Sequence, residues 1–332
     1  METATIIERV NPFRPIYELC NKGDSKYKLK NLPKFPRLID IELTNTCNFK
    51  CLMCIYGISA HDRKTGFMSD ETLYKILQEI DTYKTPLRFI GWGEQMLHPK
   101  FLDFFSEIKN KGYICHLGTN GSLLNKDIMS ELIDMQFDSI KFSFQGVDRE
   151  TFLEMRNIDF YDKLIETIKL FYNKRGSKKL PFIHASTTIT YESIEQVNTF
   201  KKKLQPITDL VTAGRTLLEH IDIDKAKLSK KEYKLLKMLK QKESVIKKHQ
   251  ECPEVFDKLT INWDGTVTAC CWDYNNLMLV GDLNKNSLSE IWNSKKLNTY
   301  RKLLAEKMHD KIPLCKMCYD PLSLQNPGQQ GL

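Results

Sequence analysis

No uninterrupted run of about 18 apolar residues occurs in this 332-residue sequence, so no segment is suited to cross a membrane as a helix. The first residues, METATIIERVNPFRP, lack a basic start followed by an apolar stretch and a small-residue cleavage site. No secretory signal is read there, and the cytoplasm is the expected compartment. Glycine and proline are sparse, at 15 and 12 residues, which excludes a collagen-like or low-complexity chain. With 41% hydrophobic and 28% charged residues the composition is that of a folded protein, long enough for one large domain with an appendage or for two domains.

Lys and Arg outnumber Asp and Glu by 50 to 42, a formal net charge of +8. The excess is local: Lys225, Lys227, Lys230, Lys231, Lys234, Lys237, Lys240, Lys242, Lys247 and Lys248 fall between Asp222 and Gln250. Leu228, Tyr233, Leu236, Met238, Leu239 and Ile246 recur there near helical spacing, which predicts an amphipathic helix with a solvated lysine face. No aromatic interleaving accompanies the charge, which argues against a nucleic-acid partner.

Along the chain, period-two and helical patterns alternate. Arg37 to Thr44 reads as a strand with Ile39, Ile41 and Leu43 on one face and Asp40, Glu42 and Thr44 on the other. Ser69 caps a helix. Strands follow at 87–91, 113–118, 139–144, 182–190 and 210–213, separated by helices at 99–111, 125–135, 148–173 (one or two) and 193–204. Strand and helix in alternation imply parallel strands with right-handed crossovers, an α/β fold of the partial (β/α)6 barrel kind. A closed eight-stranded barrel fills its centre with branched apolar side chains. Here one strand face is polar, with Asp40, Glu42, His116, Asn120, Lys141, Ser143, Gln145, His184, Ser186 and Thr188, so the barrel is expected to be open and to hold a ligand. The expected organisation is an N-terminal extension at 1–36, the barrel at 37–213, a linker helix at 214–251 and a small cysteine-bearing domain at 252–332. In that last domain Asp264-Gly265 marks a hairpin turn.

The chain holds ten cysteines. In a reducing compartment they point to metal or catalytic chemistry rather than to disulfides. Cys47, Cys51 and Cys54 form C-x-x-x-C-x-x-C just past the C-terminal end of the first strand, where α/β barrels keep their active sites. Structural zinc wants four protein ligands, and the nearest fourth candidate is His61. Three thiolates suit a four-iron cluster with one iron left open.

These residues carry a resemblance. The run TNTCNFKCLMC, residues 44–54, resembles the signature of the radical S-adenosylmethionine (radical SAM) superfamily, with Met53 where an aromatic residue is common. The resemblance implies that the open iron chelates the amino and carboxylate groups of the methionine moiety. Gly91-Trp92-Gly93-Glu94-Gln95 resembles the family's G-G-E-P element; Trp92 replaces the first glycine and Gln95 the proline, while Glu94 would accept from the methionine amino group and Gly93 would allow close backbone approach. Thr119-Asn120-Gly121 resembles the turn after the third strand. Ser143 and Gln145, in a segment resembling S-x-D-G, would face the ribose. His116, Lys141 and His184 project into the expected interior and are substrate-contact candidates.

Cys252, Cys270, Cys315 and Cys318 form a four-ligand set that could hold zinc or iron–sulfur. Their pattern, C-x(12)-G-x(4)-C and a closing C-x-x-C around VGDLNKNSLSEIW, resembles a shortened SPASM extension of radical SAM enzymes. The resemblance implies one fully ligated auxiliary cluster, two [4Fe–4S] clusters in all. Cys271, beside a ligand, is either a packed thiol or a hydrogen donor to substrate; Cys115 reads as core. The resemblance implies an enzyme that cleaves S-adenosylmethionine to a 5′-deoxyadenosyl radical and then oxidises or epimerises a substrate, reduced by a donor such as flavodoxin or ferredoxin. The short segment before the barrel favours a small polar substrate, a sugar, aminocyclitol or related metabolite, over a ribosomally made peptide. A non-enzymatic or RNA-binding iron–sulfur protein is the reading from another class.

Overall fold

The computed structural model describes residues 8–218, 220–242, 252 and 254–318. Two short helices, α1 (Arg14–Cys20) and α2 (Ser25–Lys30), precede the first strand, β1 (Leu38–Ile41). Then come α3 (Asp70–Ile80), β2 (Leu87–Phe89), α4 (Phe101–Asn110), β3 (Cys115–Thr119), α5 (Lys126–Asp134) and β4 (Ser139–Ser143). The series continues through α6 (Arg149–Arg156), α7 (Tyr161–Arg175), β5 (Phe182–Ile189), α8 (Ile194–Leu204) and β6 (Leu210–Arg215). Helix starts follow local chemistry: the Ser69, Asn125 and Ser193 side chains each accept from a first-turn N–H. The helical stretch after β4 is two helices, because Asn157 closes α6 with a left-handed φ of 58°.

The six strands are parallel neighbours in chain order. Ile39, Ile41, Leu43, Leu87, Phe89, Leu117, Ile140 and Phe142 bury the outer face against the helices. The alternate residues form the polar inner face, as the pleat requires. No described helix is long and apolar enough to cross a membrane.

Two segments do more than their sequences suggested. The N-terminal stretch packs into the barrel rather than extending from it: Phe13 is fully buried with its ring 5.7 Å from that of the inward-facing His116, and the Tyr17 ring lies 5.8 Å from the Arg88 guanidinium. The C-terminal region continues the sheet. After α9 (Lys230–Lys242) and α10 (Glu254–Asp257), β7 (Lys258–Ile261) pairs parallel to β1, with Asp40 opposite Thr260. The expected hairpin turn, with Gly265 at φ 82°, leads to β8 (Thr266–Thr268), and β9 (Leu279–Asp282) completes a nine-stranded sheet. Two further helices, α11 (Leu288–Trp292) and α12 (Lys295–Ala305), close this end, and the buried Trp292 donates Nε1–H to Pro33 O at 2.9 Å.

The expected linker helix is shorter than 214–251. Strand β6 runs to Arg215, and of the described residues in that span only Lys230–Lys242 are helical; Ile246, Lys247 and Lys248 lie outside the described residues. The amphipathic reading holds: Leu236 and Leu239 are buried, and Lys234 and Lys237 are exposed.

Candidate active site and cofactor cradle

The loop after β1 is built to hold three thiols in place. Thr44 Oγ1 donates to Gly66 O at 2.6 Å, and Asn45 bonds to Lys64 O and the Gly66 N–H at 2.8 and 3.0 Å, which anchors the start of the loop. Leu52 N donates to Met155 O, and Ile58 N to Cys54 O. The loop then folds back so tightly that a Cβ on Gly57 would stand 2.4 Å from Cys51 O, so only glycine fits there. Burial pushes the Cys54 thiol up to about 12, with the neighbouring Cys51 second, and the Cys47 thiol up to about 11. Arg156 was passed over in the sequence because no motif marks it. Its Nη1 lies 3.6 Å from Cys51 Sγ and its Nη2 donates to Ser143 O, which puts one cation against the three cysteines.

A second apolar cluster roofs this loop. Leu52, Ile55, Tyr56, Ile58 and Met155 pack with Leu218, Ile221 and, from α9, Leu236 and Leu239. The lysine helix is thus a cover for the cysteine loop, with its charge turned outward.

The Gly-Trp-Gly-Glu-Gln segment corrects several sequence expectations. Glu94 is 2% exposed, and its carboxylate accepts from Thr119 Oγ1 (2.8 Å), Asn120 N (2.7 Å) and Met96 N (3.3 Å). Three of roughly four acceptor positions are taken. Glu94 therefore clamps the turn after β3 to the end of β2, and burial raises its pKa. The close approach at Gly93 is to protein, since a Cβ there would meet Thr44 O at 2.3 Å. Gln95, in place of proline, is fully buried and accepts from Leu43 N at 2.6 Å, tying the segment to the cysteine loop. Asn120 joins the same tie through Asn48 Oδ1 at 2.9 Å. Trp92 belongs to an aromatic wall, stacked on Tyr56 (5.8 Å) and edge-on to Trp272 and Tyr274 (both 6.2 Å), with no hydrogen-bond partner for its buried Nε1 among the described residues. Gln145 is fully buried, and Thr188 and Thr216 occupy its two ends, so it bridges strands rather than facing a ligand. Ser143 stays half-buried on the inner face.

Toward the other end of the strands, Cys252, Cys270, Cys315 and Cys318 converge: Cys252 and Cys318 both act on Cys315, and Cys252 acts on Cys270. Four thiolates around one zinc, at Zn–S about 2.3 Å, stand about 3.8 Å apart. Among the described residues no three cysteine sulfurs lie within 4.8 Å of one another, at either cysteine site. His61, the other zinc candidate, is stacked on Tyr56 with ring centroids 3.8 Å apart.

The segment 270–274 runs from beside Glu254, ahead of β7, to the cysteine loop. Tyr274 O accepts from Tyr56 Oη at 3.2 Å, and Cys271 lies on the barrel side. Its Sγ is 3.9 Å from Glu254 Oε2 and within 4.8 Å of an Asp40 carboxylate oxygen. These three could in principle bind a cation, but Asp40 is paired with Arg88 (2.7 Å) and Glu254 with Lys258 (2.6 Å). Below them His116 bonds to Ser139 and His184 to Thr212, and burial lowers both imidazoles, His184 to about 3, so both are neutral. The structure brings Cys271 near His116, Lys141 and His184, the three residues that alternation put on the inner face. Cys115 is in the core.

Two outcomes follow from this geometry. Anaerobically reconstituted protein should hold about eight irons, in two four-iron clusters, and replacing Cys47, Cys51 and Cys54 together by Ala should halve the iron found by elemental analysis. Zinc at one equivalent beside four irons would contradict an iron–sulfur cluster on Cys252, Cys270, Cys315 and Cys318. Glu94→Gln sets an amide donor against the Asn120 N–H, so unfolding by denaturant should show a loss of about 1–3 kcal/mol. An unchanged midpoint would remove the clamp.

Comparison with known proteins agrees with this geometry. The family model of the radical SAM superfamily matches residues 41–203, and the iron–sulfur cluster-binding SPASM model matches residues 252–319. A tungsten-containing aldehyde ferredoxin oxidoreductase cofactor-modifying protein of Pyrococcus furiosus is 23% identical over 318 residues, covering 84% of this chain and 86% of its own. A probable GTP 3′,8-cyclase of Sulfurisphaera tokodaii is 25% identical over 233 residues, 68% of this chain and 70% of its own. In fold the chain is similar to Streptococcus suis SuiB bound to its precursor peptide SuiA (TM-score 0.66, 16% identity, 90% of this chain and 78% of that one). It is also similar to BtrN in complex with AdoMet and 2-DOIA (TM-score 0.54, 16% identity, 85% and 92%). The chain belongs to the radical SAM superfamily and carries a SPASM domain, with S-adenosylmethionine and iron–sulfur clusters as its cofactors.

Proposed function

We propose that this enzyme oxidises a small polar substrate at carbon. Cys47, Cys51 and Cys54 hold the S-adenosylmethionine-binding [4Fe–4S] cluster, and Cys252, Cys270, Cys315 and Cys318 hold the auxiliary one. The observation that carries the reading is the polar chamber between the two cysteine sets, with Cys271 facing it. When bound, the cofactors supply a 5′-deoxyadenosyl radical that takes a hydrogen atom from carbon, and a cluster able to accept the electron left behind. The chain's own residues arrange and protect this chemistry. The roof of Leu52, Ile55, Leu218, Leu236 and Leu239 keeps water from the cysteine loop. Ser143, at the chamber's upper layer, is the side chain placed for the ribose. Lys141 and His184 line the layer beneath, where substrate would lie, and His116 lies one layer lower, beside Arg88 and Ser139. Arg156 balances negative charge on the cysteine loop. An acidic one-electron carrier of the flavodoxin or ferredoxin kind is the expected reductant.

A small molecule is supported by the cofactor-modifying and nucleotide-cyclase names of the relatives and by the polar lining. Modification of a ribosomally made peptide is the second reading, and the fold likeness to peptide-bound SuiB supports it. Epimerisation is the rival outcome, because Cys271 could return a hydrogen atom. With the true substrate in deuterated buffer, the oxidation reading expects deoxyadenosine and a product two hydrogens lighter from both the wild type and Cys271→Ala. One solvent deuteron on the reacting carbon in the wild type, lost together with the inverted product in the variant, would make the enzyme an epimerase and Cys271 its donor.

A further inference from the structure

The charges on the barrel's inner face can be paired off one by one. Asp40 has Arg88 at 2.7 Å, Glu42 has Arg63 at 2.5 Å and Glu254 has Lys258 at 2.6 Å. Lys141 remains. Among the described residues no carboxylate is within ion-pair distance of its amine, and its charged neighbours Arg88, Asp40 and Cys271 act only at longer range. A cation held out of water without a counter-charge is costly, and folded chains either pair such a group or neutralise it.

The surroundings of Lys141 supply hydrogen-bonding groups rather than a counter-ion. Lys141 is directly opposite His184 in the sheet register, and Ser143 opposite Ser186. Side chains two apart on one strand share a face, and paired strands lie about 4.8 Å apart, so these four residues form one patch on the chamber wall. His184 is neutral, with Nε2 held by Thr212 Oγ1 at 2.8 Å, which leaves Nδ1 for a ligand. Lys141, Ser143 and Ser186 are all half-buried.

We propose that the substrate carries an oxyanion, a carboxylate or a phosphate, and that Lys141 receives it together with His184 and Ser186. The substrate then supplies the charge missing from the chamber. Binding one layer below Ser143 places the anion end of the substrate beneath the ribose position, which leaves its remaining carbons to extend toward Cys271 and the auxiliary cysteines. The inference rests on the functional reading above for the identity of the chamber as the substrate site.

The test uses the anaerobically reconstituted holoenzyme with S-adenosylmethionine. Lys141 is labelled by an amine-reactive anhydride and quantified by mass spectrometry, at constant ionic strength in chloride, with inorganic phosphate in one series and acetate in another. Burial lowers the Lys141 pKa, which favours its amine over an exposed lysine as the reacting nucleophile. One of the two anions should protect Lys141 saturably while Lys234 and Lys237 on α9 label at an unchanged rate, and the protecting series identifies phosphate or carboxylate. In His184→Gln and in Ser186→Ala the half-protecting concentration should rise severalfold. In Lys141→Met the rise in melting temperature caused by that anion should vanish, whereas Lys141→Arg should retain it, since the charge and its donors persist. Equal labelling of Lys141 at every anion concentration, or an Arg variant as unresponsive as the Met variant, would overturn the proposal. Deoxyadenosine release from S-adenosylmethionine and dithionite, read in the same wild-type preparation, separates the two readings: its absence strikes the functional reading, and its presence without protection strikes the anion site alone.

Discussion

The pairing of β7 with β1 is the constraint from which the site follows. Without it β1 would be an edge strand with open N–H and C=O groups. With it, Arg37 N–H donates to Asp257 O and Glu42 N–H to Ile261 O, so the pairing extends past both ends of the strand. The register sets the loop after β1, with Cys47, Cys51 and Cys54, at one end of this strand pair, while β8, antiparallel to β7, runs back and delivers Cys270 and Cys271 toward the other end, beside Asp40 and Glu254. Two cysteine sets about 200 residues apart in sequence are thereby held on either side of the barrel's polar inner face. The aromatic wall of Tyr56, Trp92, Trp272 and Tyr274 joins the two loops across it.

A polar barrel interior is an electrostatic problem as well as a binding surface. The chain solves it with ion pairs and with neutral imidazoles. Asp40 takes both nitrogens of the Arg88 fork, at 2.7 and 2.8 Å, and Phe13 packs on His116 from the N-terminal side. The roof over the cysteine loop is apolar and separate from the main core, which suits a part of the molecule that must exclude water from reactive chemistry without being welded to the sheet. The outward lysine face of α9 is the solvated side of that roof.

Period-two alternation made β1 to β6 legible, because each strand buries one face under helices and turns the other inward; the same parity is what singled out Lys141 and His184. The cysteine spacing was equally legible, since three or four ligands of fixed geometry leave a fixed pattern in the chain. Contacts between distant segments were not. Nothing in Lys258–Ile261 says that it will lie parallel to β1, and Phe13 sits in a short segment whose partner, His116, is about a hundred residues away. The partners of Glu94 and Gln145 were not legible either: neighbouring threonines and, for Glu94, backbone N–H groups bond to both side chains, and no local pattern marks such contacts. Arg156 ends α6 with no motif around it, and only the folded loop shows what it touches.

The central claim is that two iron–sulfur clusters face one chamber with an unligated Cys271 between them. Anomalous diffraction at the iron and zinc edges from crystals of the anaerobically reconstituted protein tests it most directly. The account predicts one iron cluster on Cys47, Cys51 and Cys54, a second on Cys252, Cys270, Cys315 and Cys318, and the Cys271 sulfur free on the chamber side. A zinc signal at the C-terminal cysteines, or iron bound by Cys271 in place of one of the four, would contradict it.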